Sequence, residues 1–166
     1  MIAETIATQF DVPGRLVTLR PIGAGNVNDT YLVILRTTFS EEQYILQRIN
    51  RNVFREPAAV MANMKVVTDH AHQRIAAEAE TADRIWQLPR VISAKDGGDF
   101  VVDEEGECWR ALSMIASTVS YEKVGIPEHA AEAGRVLGHF QRIISDFPID
   151  QLADTLPGFH ITPRYL

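Results

Sequence analysis

Hydrophobic and polar positions change rhythm several times along this chain, and each change marks an element. Residues 2–10 fit a short helix, closed by Asp11-Val12-Pro13-Gly14. Leu16-Val17-Thr18-Leu19-Arg20 then alternates as a strand does. After a glycine turn, Thr30-Tyr31-Leu32-Val33-Ile34-Leu35 is rich in β-branched and aromatic residues, and Tyr44-Ile45-Leu46-Gln47-Arg48-Ile49 makes a third strand. Three strands with short connections favour an antiparallel meander.

A polar connector over 50–56 leads to Pro57, which suits a first helical turn. From there a helical pattern runs to about Glu80, with Val60, Met64, Val67, Ala71 and Ile75 as its expected buried stripe. Pro89 breaks the chain, and Val91-Ile92-Ser93 starts a strand. Asp96-Gly97-Gly98 turns before Phe100-Val101-Val102, and residues 103–107 turn again into 108–115, so this region adds a hairpin. Residues 118–125 read as a linker. A last helix runs from Pro127 to about Ser145, with Ala133, Leu137, Phe140, Ile144 and Phe147 on its apolar face. Strands, helix, strands, helix is an α+β order, with a boundary expected within 116–126.

Composition narrows the function classes. A net charge of −6 over 166 residues argues against nucleic acid, because neutralising phosphates needs a basic surface. The densest basic group, Arg48, Arg51 and Arg55, is equally a solvated helix approach. With Cys108 the lone cysteine, neither an intrachain disulfide nor a thiolate metal cluster can form. The N-terminus lacks a signal-peptide pattern, and no stretch reaches the ~20 apolar residues of a membrane span. The expected location is the cytoplasm, with no membrane partner.

The chemistry concentrates in Gly23-Ala24-Gly25-Asn26-Val27-Asn28-Asp29-Thr30. Glycines between two strands bring bare backbone N–H groups to a hairpin tip, where they can face an anion. A dinucleotide fingerprint must open a helix, yet Thr30-Tyr31-Leu32-Val33-Ile34 forms strand, so that reading fails. A Walker loop fails because no Gly-Lys-Ser/Thr is present. What remains is strand, glycine loop, strand, the way kinases cover ATP phosphates. Such sites also place a cation on the third strand and an acid on the next helix. His70 and His72 point to different helix faces and make no metal pair. Asp99, Asp103, Glu104, Glu105 and Glu107 read as a solvated turn, and His139 and His160 as packing or surface residues.

Several phrases resemble a known family. They are Gly25-Asn26-Val27-Asn28-Asp29-Thr30-Tyr31, Tyr44-Ile45-Leu46-Gln47-Arg48-Ile49-Asn50, Val53-Phe54, Trp109-Arg110 and Thr118-Val119-Ser120-Tyr121-Glu122. Ala133-Gly134, Leu137-Gly138-His139-Phe140 and Pro157-Gly158-Phe159-His160 extend the match. Together they look like the aminoglycoside phosphotransferase-like kinases, and more narrowly the N-acetylhexosamine 1-kinase branch.

The resemblance implies a protein-kinase-like N-terminal lobe over 1–116, an antiparallel five-stranded sheet with one long helix. A hinge over 117–126 and the first helix of a second lobe over 127–166 follow. It implies ATP and Mg²⁺ as cofactors and a sugar or amino sugar as substrate. Gly23, Gly25, Asn26, Asn28 and Thr30 would cover the phosphates, and Met114 and Ile115 would lie within residues 112–118, whose backbone would receive adenine. The cationic position falls on Gln47, or on Arg48 after a one-residue shift that flips the face. The helix acid is unassigned, since Glu56 lies too near the helix start and Asn63 stands where a partner is expected.

The family's His-Gly-Asp loop and later Asp motif have no counterpart here. No catalytic or metal-binding residue is therefore assigned, and the chain alone is expected to be inactive. The alternatives are a stand-alone interaction module, associating through the apolar face of 127–145, and a nicotinamide-binding domain.

Overall fold

The computed structural model describes residues 2–23, 27–78, 84–119, 121, 123–159 and 161–164. Helix α1 (Ile2–Ala7) precedes the strands β1 (Arg15–Pro21), β2 (Asp29–Arg36) and β3 (Glu41–Ile49). Helix α2 (Pro57–Glu78) follows, then β4 (Val91–Ile92), β5 (Val101–Val102) and β6 (Cys108–Ser113). Helix α3 (Pro127–Ile143) and two short 3₁₀ turns, Ile149–Gln151 and Thr162–Arg164, complete the order. No helix among these residues is long and apolar enough to cross a membrane.

All strand pairs are antiparallel, in the spatial order β1-β2-β3-β6-β4, with β5 also on β6. This is the expected meander, except that the sheet holds six strands rather than five. Residues 91–92 and 101–102 are separate short strands, on either side of the expected Asp96-Gly97-Gly98 turn. A tight turn separates them, with Ala94 N–H donating to Gly98 O (2.7 Å) and Gly97 at φ 89°. The two pieces pair with successive stretches of the same β6 edge, at Ala111–Leu112 and at Cys108–Trp109.

Alternation along each strand divides the sheet into two faces. One carries Val33, Leu35, Tyr44, Leu46, Trp109 and Ala111, which pack with Ile6, Ala7 and Phe10 at the α1 end into the main core. The Tyr44 hydroxyl is buried there and donates to Ala7 O, so its burial is hydrogen-bonded and pushes its pKa above the ordinary tyrosine value. At the entrance to β1, Gly14 has φ +124°, and a Cβ there would stand 3.0 Å from Arg36 O. A side chain is therefore excluded twice over, by backbone conformation and by space.

The other face carries a smaller cluster of Ile49, Cys108 and Met61, flanked by Phe54, Val91 and Phe100. Helix α2 buries Pro57, Met61 and Ala71, while Val60, Met64, Val67 and Ile75 are only half-buried. Ala71 of the expected line is thus fully buried, and Met61, outside that line, packs with Ile49 and Cys108.

Helix α3 buries Ile143, not Ala133 or Leu137, which are exposed; Phe140, Ile144 and Phe147 are half-buried. Polar contacts join this region to α2. Arg142 grips Glu78 with two hydrogen bonds of 2.8 and 2.6 Å, and Asp146 meets His70 (3.0 Å) and Arg74 (3.4 Å). The amide of Asn63 both donates to and accepts from the Ala153 backbone, at 2.8 and 3.0 Å.

Candidate functional site

The register of β2, β3 and β6 sets residues in rows across the sheet. Asp29 lies opposite Arg48 and Arg48 opposite Trp109; the next row is Thr30, Gln47 and Arg110. Then come Tyr31, Leu46 and Ala111, and after them Leu32, Ile45 and Leu112. Successive rows point to opposite faces. The Thr30 and Leu32 rows therefore share the α2 face, one polar and one apolar.

The polar row is hydrogen-bonded end to end. Arg110 Nε donates to Gln47 Oε1 (2.9 Å), and Gln47 Nε2 donates to Thr30 Oγ1 (3.0 Å). An arginine can only donate, so it fixes which end of the Gln47 amide faces it. Arg110 Nη1 also points at Met64 Sδ of α2, at 3.4 Å. Burial among these neutral groups lowers the Arg110 pKa from its ordinary value.

Arg48 behaves differently. Its Nε donates to Asp29 Oδ2 (2.9 Å), its Nη2 contacts the same oxygen, and its guanidinium lies 5.9 Å from the Trp109 ring centroid. The Asp29 hydrogen bond outweighs desolvation and raises its pKa. Arg48 thus points away from α2, and Gln47 points toward it. Of the two positions left open by the sequence, the one facing α2 is the neutral Gln47, and the guanidinium beside it is Arg110, on the neighbouring strand.

The glycine hairpin closes directly above the polar row. Ile22 N–H donates to Thr30 O (2.9 Å), and Gly23 takes φ 76° as the chain leaves the ladder. Gly25 and Asn26 lie outside the described residues. Asn28 holds the other side of the hairpin by accepting the Asn50 N–H at Oδ1 (3.0 Å). Its side chain therefore braces the hairpin against the end of β3. Asn63, expected near the helix acid position, is committed to Ala153, and Met64 occupies the place beside the cation.

Met114 and Ile115 follow Ser113, the last residue of β6, so they leave the sheet next to the Leu112 row. Met114 is exposed and Ile115 half-buried, with Ile115 O accepting from the Thr118 hydroxyl (3.3 Å). Ser117 turns this segment at φ 58°, a left-handed conformation uncommon for a residue with a Cβ.

An open cavity of about 390 Å³ lies elsewhere near the hairpin, lined by Asp29, Arg48, Asn50, Arg51 and Glu107 among others. Its two guanidiniums are matched by two carboxylates, and Arg51 Nη1 is already bonded to Gly106 O (2.7 Å). The acidic turn expected to be solvated is partly structural. Asp103 accepts from the Trp109 indole (2.8 Å) and from the Glu105 and Glu107 backbone N–H groups. Among the described residues, no group of three or more His, Cys, Asp or Glu is placed to hold a metal ion.

Arg110 is the residue that sequence reasoning passed over. Alternation in Cys108-Trp109-Arg110-Ala111-Leu112 places it between two inward apolar positions, but its partner on β3 follows only from the register.

No family model matches the chain. Its structure is similar to that of a microcompartment-associated aminopropanol kinase, with a TM-score of 0.53 and 22% sequence identity. The match covers 85% of this chain and 39% of that one. At this identity the likeness reaches the fold and not the N-acetylhexosamine branch: the chain has the α+β architecture of a kinase-like N-terminal lobe, an antiparallel sheet with one long helix over it.

Proposed function

We propose that this chain is the nucleotide-covering portion of an ATP-dependent small-molecule kinase. One observation carries the reading: an apolar row and a polar row lie side by side on the α2 face, between the glycine hairpin and residues 114–115. Leu32, Ile45 and Leu112 offer a flat surface for a purine, beside the strand exit where backbone groups can meet its edge. Thr30, Gln47 and Arg110 lie one step toward the hairpin, where the phosphates of the same molecule would follow.

In the whole protein the γ-phosphate would pass to a hydroxyl of a sugar or amino sugar. The acceptor oxygen bonds to phosphorus, the bond to the β–γ bridging oxygen breaks, ADP leaves, and a carboxylate takes the hydroxyl proton. Mg²⁺ supplies charge neutralisation in such transfers. The described residues do not form a site for it, so no step of this chain is routed through a metal. Its residues bind and orient the nucleotide.

Calorimetric titration of the purified chain with ATP, adenosine and NAD tests the reading. ATP is expected to bind in preference to NAD, and no hexosamine phosphorylation is expected from this chain alone. Preference for NAD, or turnover of a hexosamine, would overturn the respective part. A second reading, a binding module without catalysis, rests on the exposed Val136 and Leu137 of α3. Concentration-dependent sedimentation would favour it.

A further inference from the structure

Among the described residues, Arg110 is the half-buried guanidinium held by neutral groups alone. Its contacts are the Gln47 carbonyl oxygen and the Met64 sulfur. Those two contacts use two of its five N–H donors. Taking a cation out of water without a counter-ion is unfavourable, and a cation in such a place is stabilised by any anion that reaches it. Of the other guanidiniums near the hairpin, Arg20 pairs with Leu32 on the same face but is exposed to solvent, while Arg48 and Arg51 already have protein acceptors and share their cavity with Asp29 and Glu107.

We propose that Arg110 is the phosphate-binding cation of this lobe, gripping a polyphosphate through its remaining donors while Gln47 holds it in place. The proposal rests on the nucleotide reading above. It accounts for two departures at once. A neutral Gln47 on β3 is what a neighbouring cation requires, since a lysine there would repel Arg110, whereas the amide oxygen orients it. Met64, next to Asn63, is the α2 side chain that meets Arg110, and a carboxylate in its place would neutralise Arg110 and compete with phosphate.

The test compares wild type with Arg110→Met, Arg110→Lys and, as a cation on the opposite face, Arg48→Gln. Each is titrated with adenosine, ATP and sodium tripolyphosphate. In wild type, ATP should bind more tightly than adenosine, and Arg110→Met should reduce that advantage about tenfold or more, the scale of a charge-assisted hydrogen-bond pair. Arg110→Lys should fall between, and Arg48→Gln should match wild type.

Arg110→Met should unfold at the same temperature as wild type or above it, because a methionine beside Met64 carries no desolvation penalty. A lower melting temperature with an unchanged ATP-to-adenosine ratio would make Arg110 structural and overturn the proposal. If Arg110→Met does not fold, the Arg110 Nε–H resonance of wild type must still shift on addition of tripolyphosphate; no shift would overturn it. Tripolyphosphate binding lost in Arg110→Met, with ATP no better than tripolyphosphate, would uphold Arg110 and defeat the nucleotide reading. Failure of wild type to bind either would defeat both.

Discussion

The two faces of one sheet are put to different use. On the α1 face, Val33, Tyr44, Leu46 and Ala111 are fully buried in a core with Phe10 and Ile6. On the α2 face, the same strands present half-buried Thr30, Ile45, Gln47 and Arg110 beside Leu32 and Leu112. The strands alternate by the same rule on both sides; what differs is the partner. Helix α1 and its following residues seal one face with apolar side chains, while α2 meets the other through Met61 and Met64 and leaves the polar row half-buried. The face that holds the lobe together is thereby separate from the face proposed to meet a nucleotide, so the latter can carry polar residues without opening the core.

The largest expected effect comes from striking the sealed face. Leu46→Ala should lower stability by about 2–5 kcal/mol, since a fully buried leucine leaves a cavity. Ile45→Ala, one residue away on the α2 face, should cost about 1 kcal/mol because its side chain is only half-buried. Urea denaturation of both variants measures the difference, and equal losses would break the distinction between the faces.

A smaller effect concerns the edge of the sealed face, where Asp103 supports Trp109. Burial works against the Asp103 charge, but the Trp109 indole N–H and the backbone N–H groups of Glu107 and Glu105 favour it and win, so its pKa is lowered. Its contribution is therefore present above the ordinary carboxylate pKa of about 3.9 and is lost as pH falls through the lower folded value. Denaturation midpoints measured between about pH 5 and pH 2 should decline in wild type and decline less in Asp103→Asn. Parallel curves for the two proteins would show that Trp109 does not depend on the charge.

The smallest effect belongs to Arg48, whose side chain is 42% exposed in its pair with Asp29. Arg48→Gln should change stability by less than about 1 kcal/mol, and melting curves at low and high salt should show it. A larger loss would mean that the cation over Trp109 is part of the core rather than a surface pair.

Much of this arrangement is legible along the chain. The three-strand meander, the long helix opened by Pro57 and the glycine hairpin all follow from local periodicity and turn chemistry. Local rules were less informative where an element is short or its partner distant. Residues 91–92 and 101–102 lie on either side of the expected Asp96-Gly97-Gly98 turn, but no local pattern requires both pieces to pair with β6. On α2, Met61 is buried beside the expected line because it packs with Ile49 and Cys108, on strands far from it in sequence. Asn28, picked out beside the glycines, is used as a brace on Asn50, a contact between residues 22 positions apart.

The sequence by itself determined the α+β order, the position of the hairpin and the fact that Gln47 and Arg48 must face opposite ways, because these depend on neighbours along the backbone. Tertiary structure alone decided which of the two faces meets α2, and that Arg110 joins Gln47 and Thr30 in one row. Those outcomes depend on register between strands up to 80 residues apart, from Thr30 to Arg110. Cross-strand hydrogen bonds and the packing of a distant helix set that register, and no local segment contains both sides of the contact.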